Sequence, residues 1–131
     1  MENIDIFDAD LRPQGVKERK QAHLDGDWHR TFHLWIVGDH GGGSVLYQWR
    51  SADAKNFPDM LDVSAAGHLL AGEDMKDGIR EAKEELGLEI GFADVHELGF
   101  RVEVADQANG QRNREYQGVH MFHTALSLDR F

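Results

Sequence analysis

The sequence predicts an α/β domain in which strands lie on both sides of one central helix. Three observations carry this: apolar, strand-like runs ahead of residue 66, an apolar stripe at helical spacing over residues 74–86, and two further strand-like runs after residue 96. The chain has 131 residues, the size of one domain, so a single domain over 1–131 is the expected organisation.

Ile4 to Phe7 is a short strand candidate, followed by a turn-rich stretch from Asp8 to Gly15. Phe32 to Val37 (Phe-His-Leu-Trp-Ile-Val) reads as a strand buried on both faces, which assigns Trp35 to the core. Asp39 to Gly43 holds three consecutive glycines and is a turn. Ser44 to Arg50 is a second strand, so the two make a hairpin. Ser51 to Asp59 is a polar loop containing Pro58, and Met60 to Ala65 is a further short strand. Asp74 to Leu86 is the clearest helix: Met75, Ile79, Ala82 and Leu86 form one apolar stripe, and Gly87 closes it. Glu97 to Val104 and Tyr116 to Leu126 are strands joined by a polar loop, Ala105 to Arg114, with a turn signal at Asn109-Gly110.

Composition narrows the chemistry. Cysteine is absent, which excludes disulfides, a thiolate metal site and a cysteine nucleophile. The N-terminus lacks a basic region followed by an apolar run, and no apolar stretch nears the roughly 20 residues of a membrane span. The expected location is therefore cytoplasmic, with no membrane partner. The formal net charge of -10 argues against a nucleic acid polymer as partner, because nothing would drive counterion release. It leaves open a small phosphate ligand held through metal ions on carboxylates.

The informative segment runs Gly67-His-Leu-Leu-Ala-Gly-Glu73, then six residues, then Arg80-Glu81-Ala82-Lys83-Glu84-Glu85-Leu86-Gly87-Leu88. Residues three and four apart on a helix share a face, so Glu81, Glu84 and Glu85 project within about 60° of one another. Like charges so placed repel by a few tenths of a kcal/mol per pair, and a bound cation relieves this. An oxygen-only site prefers hard cations such as magnesium, manganese or calcium. Arg80 is placed to orient one carboxylate, and the glycines ahead of the helix let the backbone pass close to the site. A solvated acidic face held by Lys76, Arg80 and Lys83 is the plain reading of the Glu-Glu pair taken alone.

The whole string resembles the Nudix box: glycine, five residues, glutamate, then Arg-Glu, an apolar residue, any residue, Glu-Glu, any residue, glycine and an apolar residue. Gly67 to Glu73 and Arg80 to Leu88 match at every defined place. Six residues separate Glu73 from Arg80 where the usual box has seven, which leaves the role of Glu73 open. The resemblance implies a Nudix α/β/α sandwich with a central mixed β-sheet. It also implies metal ligation by Glu81, Glu84 and Glu85, magnesium or manganese as cofactor, and hydrolysis of a phosphoanhydride bond in a small diphosphate-containing metabolite. A nucleoside diphosphate linked to another moiety, or a related organic pyrophosphate, is the expected substrate.

His29-Arg-Thr-Phe32, Trp35, Arg50-Ser51, Pro58 and Ala65-Ala66-Gly67-His68 resemble the isopentenyl-diphosphate-isomerase-like branch. In its isomerases, histidines matching His23, His29 and His68 hold one metal with two later glutamates, and a cysteine precedes the glycine of the box. Here Ala66 replaces that cysteine, Asn113 replaces one glutamate and Glu115 matches the other, so the resemblance favours a hydrolase over an isomerase. His23 and His29 are either ligands or a surface pair. Arg50, Gly67 and His68 are expected at the substrate. Glu115, taken to open a strand after a loop, is the candidate general base or additional ligand. Arg101, Arg112 and Arg114 are candidate phosphate contacts, and Trp28, Phe57 and Tyr116 are candidate stacking surfaces. A non-catalytic nucleotide-binding module is the alternative function. The end at Phe131, where resembling domains carry a further helix, implies a truncated or unusually short chain, and a homodimer would let a second subunit complete the pocket.

Overall fold

The computed structural model describes residues 2–39, 42–50, 52–53 and 60–125. Phe57, Pro58 and the expected end of the last strand at Leu126 lie outside the described residues. The elements are β1 (Asn3–Phe7), β2 (Pro13–Glu18), α1 (Arg19–Asp25), β3 (Trp28–Gly38), β4 (Ser44–Val45), β5 (Gln48–Trp49), β6 (Leu61–Asp62), β7 (Ala65–His68), a 3-10 turn over Met75–Ile79, α2 (Arg80–Leu86), a short 3-10 turn (Phe92–Asp94), β8 (His96–Asp106) and β9 (Arg112–Thr124).

The main sheet runs β2-β1-β3-β9-β8, with β4 and β7 also paired to β3. Strands β3 and β9 are parallel over their whole overlap and the other pairs are antiparallel, so the sheet is mixed, as the sequence predicts. Side chains alternate across a strand. On β3, Phe32, Leu34 and Ile36 are fully buried and pack with Ala82 of α2, and with Met75, Ile79 and Leu86. The opposite face of β3 carries His29, Thr31 and His33. Ile4 and Ile6 of β1 share that opposite side and bury Ala22 of α1. Helices thus cover both faces of the sheet, which is the expected sandwich. No helix among the described residues is long and apolar enough to cross a membrane.

Several elements differ from the sequence reading. β2 and α1 occupy the stretch read as turn or left unassigned, because a seven-residue helix burying only Ala22 shows no apolar stripe. β3 is not apolar on both faces: Trp35 is half-buried and meets Tyr47 edge-on, outside the core cluster. The expected second hairpin strand breaks after Val45, and Gln48–Trp49 pairs with Leu61–Asp62 in a separate two-stranded sheet. The expected strand over Met60 to Ala65 likewise divides into β6 and β7.

The central helix is α-helical only over Arg80–Leu86 and ends at Gly87 in the left-handed region (φ 67). Its first part is a 3-10 turn, started by reciprocal bonds between Asp74 and Asp77 and carrying Gly78, a poor α-helix former. A 3-10 helix rises about 2.0 Å per residue against 1.5 Å in an α-helix, so its five residues span about 10 Å.

Candidate active site

Strand register assembles the site. His29 of β3 lies opposite Glu115 of β9, and Thr31 opposite Gln117. Across β9, Glu115 faces Glu103 of β8 and Gln117 faces Arg101. On the other side of β3, Thr31 is paired with His68 and His33 with Ala66 of β7. These side chains emerge on the face opposite the α2 core, and all but the buried His29 line a cleft of about 320 Å³, joined by His23, Gln48, Arg50, Asp62, Gly67, Glu85 and Asn113.

The glutamates of α2 meet the cleft through β7. Gly67 packs so tightly that a Cβ there would fall 2.3 Å from the carboxyl carbon of Glu81. Glu85 accepts hydrogen bonds from the Ala66 backbone N–H (2.8 Å) and from Gln48 Nε2 (2.9 Å), while its carboxyl lies within hydrogen-bond reach of Glu81. Burial first, then repulsion from Glu84 and Glu85, pushes the Glu81 carboxyl from 4.5 up to about 7. Glu84 points farther out, with 59% of its side chain exposed against 12% for Glu81. Arg80 reaches several partners rather than one carboxylate. Its guanidinium pairs with Glu73, approaches Glu81 (3.6 Å) and Glu84 (3.8 Å), and donates to the backbone carbonyls of Asp77 and His68. Glu73 also accepts from the Leu70 N–H, so it ties the loop to the helix.

A second cluster lies beside this one. Ligand atoms of His23, His29 and His68 fall within 4.8 Å of one another. The His29 and His68 rings are stacked at 5.0 Å, and His23 meets both edge-on. Burial holds His23, His29 and His68 below the usual imidazole range, His68 farthest, with repulsion from His29 adding to it at His23 and from His29 and His23 at His68. His29 Nδ1 faces the Asp27 carbonyl (3.2 Å), which only accepts, so the proton sits on Nδ1 and Nε2 keeps a bare lone pair. The Nε2 atoms of His29 and His68 are buried without a hydrogen-bond partner. Glu115 Oε2 lies 4.0 Å from His29 Nε2.

Residues 27–129 match the family model for the NUDIX domain. The chain belongs to the Nudix family. An uncharacterised Nudix hydrolase of Clostridium acetobutylicum is 47% identical over 133 residues, spanning 99% of this chain and 63% of the relative. An isopentenyl-diphosphate Delta-isomerase of Burkholderia multivorans is 30% identical over 92 residues, 70% of this chain and 49% of that protein. A solved structure from Deinococcus radiodurans superposes with a TM-score of 0.70 at 21% identity, covering 96% of this chain and 74% of that one, a likeness of fold. This Nudix chain therefore spans less than two thirds of either of those curated relatives.

The remaining expected residues divide. Arg50 lines the cleft and pairs with Asp62 at 3.1 Å. Glu115 does not open its strand: it lies inside β9, 9% exposed, accepting from Thr31 Oγ1 (3.2 Å) and Gln117 Nε2 (3.3 Å). Arg101 borders the cleft, whereas Arg114 is paired with Asp106 and Arg112 packs beside Gly26. Trp28 and Tyr116 stack on each other on the face away from the cleft. Sequence reasoning missed Glu103 and Gln48 as cleft residues. Alternation within a strand fixes only that Glu103 shares a face with Arg101, and the register with β9 is what makes this face the cleft.

Proposed function

We propose that this Nudix protein is a divalent-metal-dependent pyrophosphohydrolase. It cleaves a phosphoanhydride bond in a nucleoside diphosphate linked to another moiety, or in a related organic pyrophosphate. One observation carries the reading: the carboxyls of Glu81 and Glu85 converge beside the Ala66-Gly67 backbone, with Glu81 pushed up to about 7 by burial and by its acidic neighbours. Such a group fits a hard cation, which replaces the shared proton and offsets the repulsion. Glu81, Glu84 and Glu85 would hold magnesium or manganese. When bound, the metal supplies an acidified water and neutralises charge on the phosphates.

The chain's own residues do the rest. Arg80 fixes the glutamates relative to the 67–73 loop, and Gly67 leaves room for the Glu81 carboxyl. Arg50 and His68 face the cleft where the diphosphate would lie. Glu115, buried beside His29, is the proton acceptor or an additional ligand. The bare lone pair of His29 and the unpartnered Nε2 of His68 favour a second cation on the histidine cluster, and imidazole suits zinc better than magnesium or manganese. Isomerase chemistry is disfavoured because the methyl of Ala66 stands beside His68 and cannot carry a proton. A cytoplasmic location fits the absence of cysteine. A homodimer fits the exposed apolar stripe Leu98, Phe100, Val102 and Val104 on β8.

The test is release of phosphate or nucleotide from dinucleotides, nucleotide sugars and prenyl diphosphates with magnesium or manganese. Glu85→Gln is expected to lower turnover by about two orders of magnitude or more, as loss of a charge-stabilising group does. Unchanged turnover removes the glutamate site. Calorimetric binding of nucleotides without cleavage replaces the enzyme with a binding module.

A further inference from the structure

Three amide oxygens on the cleft wall are buried without a hydrogen-bond partner: Gln107 Oε1, Asn113 Oδ1 and Gln117 Oε1. The orientation of two of these amides is fixed by neighbouring carboxylates. Asn113 Nδ2 donates to Glu103 Oε2 at 2.7 Å, and Gln117 Nε2 donates to Glu103 Oε2 at 3.4 Å and to Glu115 Oε1 at 3.3 Å. An ionised carboxylate only accepts, so the NH2 groups turn toward it and the carbonyl oxygens turn away. Asn113 is 9% exposed and Gln117 2%. A buried acceptor left without a donor costs about 1–3 kcal/mol. This wall is therefore a row of acceptors built to receive donors.

The rest of the cleft agrees. Gln48, Arg50, Asp62, Arg101 and Gln111 border it, and no leucine, isoleucine, valine, methionine, phenylalanine, tryptophan or tyrosine does among the described residues. A hydrocarbon tail would find no apolar wall and would leave the amide oxygens unpaired. The volume of about 320 Å³ is at the small end for ligand sites, enough for a diphosphate and one ring.

Resting on the pyrophosphohydrolase reading, we infer that Asn113 and Gln117 form a subsite for a hydroxyl-bearing ring, the sugar-like half of the diphosphate substrate. Ring hydroxyls donate to Asn113 Oδ1 and Gln117 Oε1. Glu103 is a positioning residue that holds both amides. The subsite selects a polyhydroxyl group over a prenyl chain, because the unpaired oxygens penalise a group with no donors.

Steady-state kinetics with magnesium on a nucleoside diphosphate sugar and on dimethylallyl diphosphate tests this. The wild type is expected to favour the sugar substrate at least about tenfold in kcat/KM, the value of one buried hydrogen bond. Asn113→Leu is expected to raise KM for the sugar substrate about tenfold with kcat within about threefold, and to leave KM for the prenyl substrate unchanged or lower; Gln117→Leu, which also removes a donor from Glu115, is expected to raise KM for the sugar substrate alone whatever its kcat. Asn113→Ala replaces the leucine variant should the latter not fold. Equal cleavage of both substrates, or equal rises in KM, overturns the subsite while the hydrolase stands. If neither substrate is cleaved, the hydrolase reading fails and calorimetry of the nucleotide sugar decides the subsite. Affinity lost in Gln117→Leu then supports it, and unchanged or undetectable affinity overturns it.

Discussion

Glu81→Gln is expected to stabilise the metal-free protein at alkaline pH while removing its turnover. The Glu81 carboxyl titrates near 7 in the folded chain because it is buried beside Glu84 and Glu85, against 4.5 ordinarily. A group that holds its proton more tightly when folded weakens the fold as pH rises: the penalty is absent below about 4.5 and complete above about 7. The displacement from 4.5 to about 7 corresponds to about 3 kcal/mol, at about 1.4 kcal/mol per pH unit. The displacement already includes the attraction of Arg80, 3.6 Å away, so the gain from glutamine is about 3 kcal/mol at pH 8 and near zero at pH 4.5. Urea denaturation of both proteins with a chelator, at the two pH values, measures it. A variant no more stable than the wild type at pH 8, or equally stabilised at both pH values, refutes the crowded-carboxyl argument.

The other predictions follow from the same geometry. Gly67→Ala places a methyl 2.3 Å from the Glu81 carboxyl carbon, so it should cut metal-dependent turnover at least about a hundredfold while circular dichroism still reports a folded chain; near-normal turnover contradicts it. His23, His29 and His68 bind protons less readily when folded, so their contribution to stability is present above about pH 6.5 and is lost as pH falls. In the Glu81→Gln protein, which lacks the opposing carboxyl titration, stability in urea should therefore drop between pH 7 and pH 5.5, less so when His29→Gln is added, and an unchanged midpoint contradicts this.

Much of the site was legible because helix periodicity is local. Residues 81, 84 and 85 share a helix face whatever the rest of the chain does, although the helix is wound as 3-10 ahead of Arg80. The strands with strong apolar patterns, β1 and β3, were equally plain. What escaped was non-local. α1 buries one alanine and shows no periodicity, yet it delivers His23 to the cluster. The split of the 44–50 run into two sheets depends on pairing with residues 61–62, which no local pattern encodes. Glu115 is expected at the opening of its strand rather than inside it because the polar residues around it, Asn113 and Gln117, look solvated in sequence. They are buried against Glu103 and Glu115.

Electron paramagnetic resonance titration of manganese into the metal-free protein tests the glutamate site most directly. The wild type is expected to bind the ion, His29→Ala to retain the glutamate-bound ion, and Glu81→Gln/Glu85→Gln to lose it together with hydrolysis. Manganese bound by the double glutamine variant as tightly as by the wild type would contradict ligation by the α2 carboxylates.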